Sequence, residues 1–480
     1  MKNTKHTAID ELLRAREDLN GISPSFCTAK WLQHTLYLQN GMNHSCHHPP
    51  THKVPLDEIA TNPAALHNTK HKKAEMAMML KGERPKGCDY CWRVEDMGKE
   101  HFSDRIYKSN TSWAKPHVFD VLSAGTEDIN PTYLEISFSN VCNLKCAYCS
   151  PDLSSKWYDE IKQHGAYPTS TNYNSFDVIK SMGKMPIPNK DENPYVDAFW
   201  KWWPDLYPSL HTLRLTGGEP LMSKDCWSVL ERIKENPRED LVLSINTNLD
   251  VPEAMIDRLI NLLLELGPGV REVQIFTSGE ATGKAAEYTR FGLNYDRWVN
   301  NCHKVIRALA GKMNIVFPFM TTVNILSAGT FDKFIKQVVE FRKEYITDHM
   351  EQGNMLPMMT NYLRYPSMLA ICNLSDKEKE LVKDRLEEVV NKYAMENHDW
   401  STGNGFIWDD EINQIKRLVQ FMYRGRNMKG ALDESNLSKN RSDFVKFVDE
   451  YDKRRGTNFE ETFPDLKDYY RMIKNSGQEK

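Results

Sequence analysis

The stretch VCNLKCAYCS, residues 141–150, places three cysteines in one short segment directly after the apolar run YLEIS. They are Cys142, Cys146 and Cys149, in the spacing C-x3-C-x2-C. Structural zinc is normally held by four closed ligands, and a ferredoxin-type cluster needs a fourth thiolate. The segment offers neither a fourth cysteine nor a histidine. Three thiolates on a four-iron cluster would leave one iron open to a small molecule, so this segment predicts a catalytic centre.

Composition limits the classes of protein to consider. The chain has 480 residues and a formal net charge of -4, so no basic surplus draws it to nucleic acid or anionic lipid. A mean hydropathy of -0.61 fits a water-soluble globular protein. The charged N-terminus lacks the apolar core of a signal peptide, and no apolar run approaches the roughly 18 residues that a membrane helix needs. We expect a cytoplasmic protein, whose clustered thiols bind metal rather than form disulfides.

The cysteine segment resembles the radical S-adenosylmethionine (SAM) superfamily, where the loop after the first barrel strand reads C-x3-C-x-aromatic-C. Tyr148 takes the aromatic position. The resemblance implies that Cys142, Cys146 and Cys149 ligate a [4Fe-4S] cluster whose open iron chelates SAM. One electron then cleaves SAM to a 5′-deoxyadenosyl radical. Tyr148 would pack near the adenine, with ordinary loop packing as the alternative.

A second motif follows in TLRLTGGEPLMS, residues 212–223, an apolar strand that ends in Gly217, Gly218 and Glu219. Adjacent glycines let a ligand approach the backbone closely, because no side chain intervenes. Alone, the string GGEP is also typical of a plain turn. In the resembled family this position holds the amino group of SAM through the glycine backbone and the glutamate.

Two further strands end in polar residues. LVLSINTNLD, residues 241–250, carries Asn246, which the resemblance assigns to the ribose of SAM; an Asn-rich turn is the alternative. VQIFTSGE ends near Ser278, and Arg290 follows it. In the family, such residues meet the ribose and the carboxylate of SAM, and a guanidinium suits a carboxylate because it donates two parallel bonds. Glu287 could orient Arg290 or face water.

Strands that alternate with helical stretches indicate βαβ units and a parallel sheet. The resemblance implies an α/β fold with a partial (β/α)6 TIM-type barrel, assigned to residues 130–370. A helical C-terminal extension, residues 371–480, has predicted helices at 374–397, 409–426 and 444–456. The family's extensions often cover the open side of the barrel.

The segment FCTAKWLQHTLYLQNGMNHSCHH, residues 26–48, predicts a strand, a turn at Asn40-Gly41 and a return strand. Four further cysteines accompany this hairpin: Cys27 precedes it, Cys46 follows it, and Cys88 and Cys91 form a later C-x2-C pair. Together they resemble the twitch module, a half-length relative of the SPASM domain, which implies an auxiliary iron–sulfur cluster in a domain at residues 1–110. A zinc site is the alternative, for which His47 and His48 offer nitrogen ligands.

These expectations combine into an enzyme whose radical abstracts hydrogen from a peptide or from a small metabolite such as a sugar. It would need an electron donor such as flavodoxin or ferredoxin. A noncatalytic zinc or iron–sulfur scaffold is the alternative from another class. The isolated residues Cys226, Cys302 and Cys372 are expected to be buried apolar side chains, as lone cysteines usually are.

Overall fold

The computed structural model describes residues 2–345, 355–394, 405–425 and 434–476. The predicted helix ends at residues 395–397 and 426 lie outside these ranges. The strands of the described chain, in order, are β1 (Gln33–Tyr37), β2 (Met42–His44), β3 (His52–Lys53), β4 (Tyr133–Ser137), β5 (Lys145–Cys146), β6 (Thr212–Thr216), β7 (Arg238–Thr247), β8 (Val270–Ser278), β9 (Arg290–Phe291), β10 (Ile315–Val316), β11 (Phe319–Met320) and β12 (Met358–Met359).

The α-helices of the described residues are α1 (Lys2–Ile22), α2 (Thr28–Leu32), α3 (Leu56–Thr61), α4 (Lys70–Leu80), α5 (Asp89–Glu95), α6 (Asp104–Ser109), α7 (Val118–Ala124), α8 (Ser155–His164), α9 (Phe176–Ser181), α10 (Pro194–Leu206), α11 (Lys224–Glu235), α12 (Glu253–Leu266), α13 (Gly283–Thr289), α14 (Tyr295–Leu309), α15 (Ile325–Ala328), α16 (Phe331–Tyr345), α17 (Asp376–Tyr393), α18 (Asp409–Arg424), α19 (Glu434–Arg455), α20 (Phe459–Thr462) and α21 (Lys467–Ser476).

The chain divides into two compact units, each built from several segments. The first contains residues 1–140, 182–217 and 238–244, and the second contains residues 141–181, 218–237 and 245–480. No described helix is long and apolar enough to cross a membrane.

In the first unit the strands lie in the order β3-β2-β1-β4-β6, followed by the first part of β7. Strand β4 pairs in parallel with β6, so that Ser137 lies opposite Thr216. Strand β1 also pairs in parallel with β4, from Gln33 opposite Tyr133 to Tyr37 opposite Ser137. The N-terminal hairpin is therefore an extension of the sheet that contains β4. An alternating apolar pattern reveals a strand but not its pairing partner, so the sequence did not predict this pairing.

The hairpin itself is confirmed, with β1 and β2 antiparallel and Tyr37 opposite Met42. Gly41 has a φ of +64°, and a Cβ there would lie 2.1 Å from the Tyr195 ring, so both conformation and space require glycine. The first part of the predicted strand is wrong, because residues 28–32 form helix α2. All five side chains of α2 are buried, so its sequence lacks the alternation of apolar and polar faces that would indicate a helix.

In the second unit the end of β7 is followed by β8, β11 and β12, and the pairs β8–β11 and β11–β12 are parallel. The helices between the strands bury one face. In α12 the buried residues Ile256, Leu259, Ile260 and Leu263 recur at helical spacing. The mixed α/β class with parallel strands and a helical C-terminal region is confirmed. The segment MNIVFPFM, residues 313–320, forms the two short strands β10 and β11, and Asn324 caps α15.

The three isolated cysteines are confirmed as buried residues; Cys302 is fully inaccessible to solvent. The aromatic cluster of α10 is likewise mostly core, since Phe199, Trp202 and Trp203 are buried. Both outcomes agree with the usual behaviour of such side chains.

One group in the first unit departs from ordinary core chemistry. The side chain of Lys72 is buried, and its Nζ lies 2.9 Å from Nδ1 of the buried His67. Burial and the nearby charge of Lys30 hold the pKa of Lys72 well below its usual value. An amine that stays neutral in the folded chain takes up a proton on unfolding, and this links stability to pH.

We therefore expect the free energy of unfolding of the wild type, relative to Lys72→Met, to increase as the pH rises toward 10.5. The unfolded chain binds a proton in this window that the folded chain does not, so the slope is positive and at most about 1.4 kcal/mol per pH unit. Urea unfolding at a series of pH values measures it. Lys73→Met, at a more exposed neighbouring position, is the control; it keeps Lys72 and should therefore retain the pH dependence of the wild type. Equal slopes for the two variants would contradict the assignment.

Candidate functional site

The cysteine segment forms a tight loop before α8 in the second unit. The backbone N–H of Cys149 donates to the carbonyl of Cys146 over 2.9 Å, and that of Leu144 donates to the Sγ of Cys142 over 3.4 Å. The short strand β5 pairs with β9, which places Cys146 opposite Arg290. All three cysteines are free thiols.

The electrostatics of this loop disfavour thiolates in the absence of a cation. Burial, together with the neighbouring Cys146, raises the pKa of Cys142 to about 12. Burial also raises the pKa values of Cys146 and Cys149. A metal centre reverses this situation, because its own charge is the largest in such a site and a coordinating thiol is deprotonated. A set of three desolvated thiols therefore suits a cationic cluster better than water.

The GGEP motif brings a buried carboxylate into the same unit. Glu219 is 1% exposed and accepts hydrogen bonds from Oγ1 of Thr247 at 2.7 Å, from the N–H of Asn248 at 2.7 Å and from the N–H of Leu221 at 3.1 Å. Its own N–H donates to the carbonyl of Val141, next to the first cysteine. All three donors to the carboxylate are neutral, so burial raises the pKa of Glu219 to about 7 despite them.

Gly217, which directly follows β6, has a backbone conformation that favours glycine. Gly217 has a φ of +136°, in a region that L side chains rarely adopt. A Cβ at this position would lie 3.0 Å from the carbonyl oxygen of Ser139 and 3.1 Å from the Oγ of Ser137. A side chain at this position would therefore strain the backbone and crowd the residues at the end of β4, so glycine is favoured at the end of β6.

The remaining predicted residues also lie at strand ends of the second unit. Asn246 lies near the end of β7, and its Nδ2 is 3.8 Å from the Sδ of Met320. Ser278 is the last residue of β8 and lies opposite Met320 of β11. The ends of β7 and β8 thus both lie next to Met320, as expected for parallel strands whose carboxyl ends meet at one edge of the sheet.

Arg290 has a partner that the sequence did not reveal. Its Nε and Nη2 donate to the two carboxylate oxygens of Glu280 at 3.0 and 2.6 Å, and both side chains are buried. Its Nη1 lies 3.8 Å from the Sγ of Cys146. Tyr148 donates its hydroxyl to the same Glu280 over 3.0 Å. Glu287 instead accepts the N–H of Tyr295, so it is not the carboxylate that orients Arg290.

The four N-terminal cysteines lie around one small cavity of the first unit, with a volume of about 20 Å³. Cys27, Cys46, Cys88 and Cys91 all line it, and all four are free thiols. Three chain segments that are remote in sequence thus contribute to one site, and a set of four thiols fits a metal centre. As they stand in the described residues, however, no three or more His, Cys, Asp or Glu side chains form a group that could hold a metal ion.

Two cations at this cavity were missed by sequence reasoning. Lys30 and Arg105 both line the cavity, and both side chains are nearly inaccessible. Burial opposes the charge of Lys30, but Cys88 and Glu75 raise its pKa overall. Arg105 pairs with Glu95 at 2.7 Å. Their only signal in the sequence was proximity to the cysteines, since exposed and buried basic residues look alike there.

Comparisons with known proteins identify the class. Residues 136–327 match the family model described as Radical SAM superfamily. That region contains the cysteine triplet, GGEP, Ser278 and Arg290, whereas the four N-terminal cysteines lie outside it. Residues 136–327 therefore form a radical SAM domain. The protein is an enzyme that contains this domain.

Individual relatives are distant. A GTP 3′,8-cyclase of Limosilactobacillus fermentum is 21% identical over 338 residues, which cover 64% of this chain and 88% of that protein. A probable GTP 3′,8-cyclase of Methanocaldococcus jannaschii is 23% identical over 264 residues, or 55% of this chain and 70% of that one. The chain in the crystal structure of Streptococcus suis SuiB bound to S-adenosylmethionine is 14% identical in sequence. The match covers 66% of this chain and 63% of the SuiB chain, with a TM-score of 0.31.

The buried carboxylate of the GGEP motif generates a prediction. Between pH 4.5 and about 7 the folded chain keeps a proton on Glu219 that the unfolded chain releases, so stability falls as the pH rises through this window. The expected loss is about 3 kcal/mol. Glu219→Gln cannot titrate, so the decrease should disappear in this variant when urea unfolding is measured at pH 5 and 7.5.

The control for this measurement is Glu235→Gln, at an exposed position of α11. It should retain the pH dependence of the wild type. If Glu219→Gln retains it as well, another group is responsible and the buried carboxylate of Glu219 is already ionised in the folded chain at low pH.

Proposed function

We propose that this enzyme cleaves SAM reductively and uses the product to abstract hydrogen from its substrate. The observation that carries this proposal is the loop of three free thiols, one buried and two partly buried, in the same unit as the buried carboxylate of Glu219. A [4Fe-4S] cluster held there with SAM supplies a 5′-deoxyadenosyl radical, and that chemistry belongs to the cofactors rather than to the protein. The protein supplies ligands, orientation and exclusion of water.

The ligands are Cys142, Cys146 and Cys149, which is three thiolates for four irons. The backbone of Gly217 and Gly218, together with Glu219, would bind the amino group of SAM. Support for this role comes from the neutral hydrogen-bond donors of Glu219, which leave its charge without a cationic partner among them. An ammonium group would favour the ionised carboxylate and lower its pKa.

The nucleoside and carboxylate of SAM are assigned to the other strand ends. Asn246 and Ser278 would contact the ribose, and Tyr148 would pack near the adenine. Arg290 is proposed to meet the carboxylate of SAM. Because Glu280 already accepts from two of its nitrogens, the Nη1 that faces Cys146 is the part of Arg290 best placed for this role.

The N-terminal cysteines Cys27, Cys46, Cys88 and Cys91 are proposed to hold an auxiliary iron–sulfur cluster, with zinc as the alternative. Four thiolates would saturate such a cluster, so it would transfer electrons rather than bind substrate. We propose the corresponding domain division: a twitch-like domain at 1–110, the barrel at 130–370 and a helical extension at 371–480.

The substrate is proposed to be a peptide or a small metabolite such as a sugar. The names of the matching relatives support the small-molecule alternative, since a GTP cyclase acts on a ribonucleotide. The electron donor would be a flavodoxin or a ferredoxin, and the location cytoplasmic, where thiols stay reduced. The match to an enzyme superfamily disfavours the noncatalytic scaffold.

Replacement of Cys142, Cys146 or Cys149 by alanine should abolish SAM cleavage, because each change removes a cluster ligand. Anaerobic protein, reconstituted with iron and sulfide and reduced with dithionite, is assayed for 5′-deoxyadenosine. Cys226→Ala, at a buried cysteine of α11, is the control and should retain activity. Undiminished consumption of SAM by any of the three variants would contradict the proposal.

Joint replacement of Cys88 and Cys91 by alanine should lower the iron content of the reconstituted chain from about eight to about four atoms. Cleavage of SAM should persist, because the barrel ligands are intact. Iron and zinc are counted by elemental analysis. Zinc in the wild type, with an iron content that the double replacement does not change, would establish the zinc alternative instead.

A further inference from the structure

The last residue of helix α19 is a buried arginine that reaches the cysteine loop. The side chain of Arg455 is fully inaccessible to solvent. Its Nε and Nη2 donate to the two carboxylate oxygens of Glu160 at 3.1 and 3.2 Å. Its Nη1 donates to the backbone carbonyl of Lys145 at 3.0 Å. Lys145 directly precedes Cys146, so a residue far along the chain binds the backbone of this loop.

Glu160 of α8 connects the same arginine to the loop a second time. It accepts the ammonium of Lys145 at 2.6 Å and the hydroxyl of Tyr167 at 2.6 Å. Burial alone would raise the pKa of Glu160, but the charge of Arg455 and these donors bring it to about 2. The carboxylate is therefore ionised at neutral pH. It binds two cations, the ammonium of Lys145 and the guanidinium of Arg455, and the guanidinium also binds the carbonyl of Lys145.

The next carbonyl of the loop is held by a neighbour of the same arginine. The indole Nε1 of Trp157 donates to the carbonyl of Cys146 at 2.8 Å. The guanidinium carbon of Arg455 lies 4.7 Å from the Trp157 ring centre and 3.7 Å from that of Tyr451. Two consecutive carbonyls, at Lys145 and Cys146, are thus bound by side chains that pack on each other.

The contact also includes the strand opposite Cys146. Phe291 lies across from Lys145 in the β5–β9 pair, and its ring centre is 5.1 Å from the guanidinium of Arg455. Phe291 follows Arg290, whose Nη1 faces the Sγ of Cys146. Arg455 therefore contacts both strands of the pair that sets the position of the Cys146 sulfur relative to Arg290.

We propose that Arg455 is a positioning residue for the catalytic centre, which fixes Cys146 and its relation to Arg290 from the C-terminal helix. The inference rests on the proposed function only in treating Cys146 as a cluster ligand. A planar guanidinium binds the two oxygens of Glu160 and the carbonyl of Lys145 at once, which a lysine ammonium cannot reproduce. The C-terminal region is then part of the cluster-binding machinery.

The test compares Arg455→Met, Arg455→Lys and the control Arg471→Met in the full chain. Arg471 carries the same side chain at an exposed position of α21, where it pairs with Glu460. Amide hydrogen exchange at residues 142–149 is measured before iron is added. The reconstituted proteins are then compared by the electron paramagnetic resonance (EPR) spectrum of the reduced cluster, by KM for SAM and kcat of its cleavage, and by thermal unfolding.

In Arg455→Met, we expect the amide hydrogens of residues 142–149 to exchange at least tenfold faster than in the wild type. The EPR spectrum should shift, and SAM should be cleaved about 10- to 100-fold more slowly. Arg455→Lys should be intermediate, and Arg471→Met should match the wild type. If Arg455→Met has wild-type exchange and an unchanged spectrum, the proposal is overturned, including where cleavage is slow because the whole chain is less stable. If the wild type takes up no cluster, the proposed function fails, but the exchange comparison still decides the role of Arg455.

Discussion

Desolvation of three thiols within one short loop is the constraint on which the rest of the site depends. Cys142, Cys146 and Cys149 are buried enough that their pKa values rise, and each thiolate would raise those of its neighbours. Such a set is stable either as neutral thiols or as thiolates around a strong cation. The number three then matters chemically, because a four-iron cluster keeps one coordination position for an exchangeable ligand.

Two buried ion pairs hold the residues around this loop in place. Glu280 with Arg290, and Glu160 with Arg455, each combine a buried carboxylate with a buried guanidinium. Buried pairs of this kind add little to stability on average, but breaking one leaves an uncompensated charge and is costly. They are therefore suited to fixing a geometry, and both pairs converge on the β5–β9 strands that carry Cys146.

The sequence revealed the local motifs and the strand ends that carry them, but not the tertiary pairing. Local spacing revealed the thiol triplet, GGEP and the strand that ends at Ser278. The parallel pairing of β1 with β4 escaped, because strand partners that are a hundred residues apart leave no periodic signal. Glu280 and Arg455 escaped for a similar reason, since a buried charge is defined by distant partners. Helix α2 was missed because all of its side chains are buried.

The most direct test of the central claim is the EPR response of the barrel cluster to SAM, measured in protein whose Cys88 and Cys91 are replaced so that one cluster signal remains. If three thiolates leave an iron open, SAM binds to that iron, and we predict that its addition to the reduced protein shifts the g values. A spectrum identical with and without saturating SAM would show that no iron is available to SAM, and the claim would be contradicted.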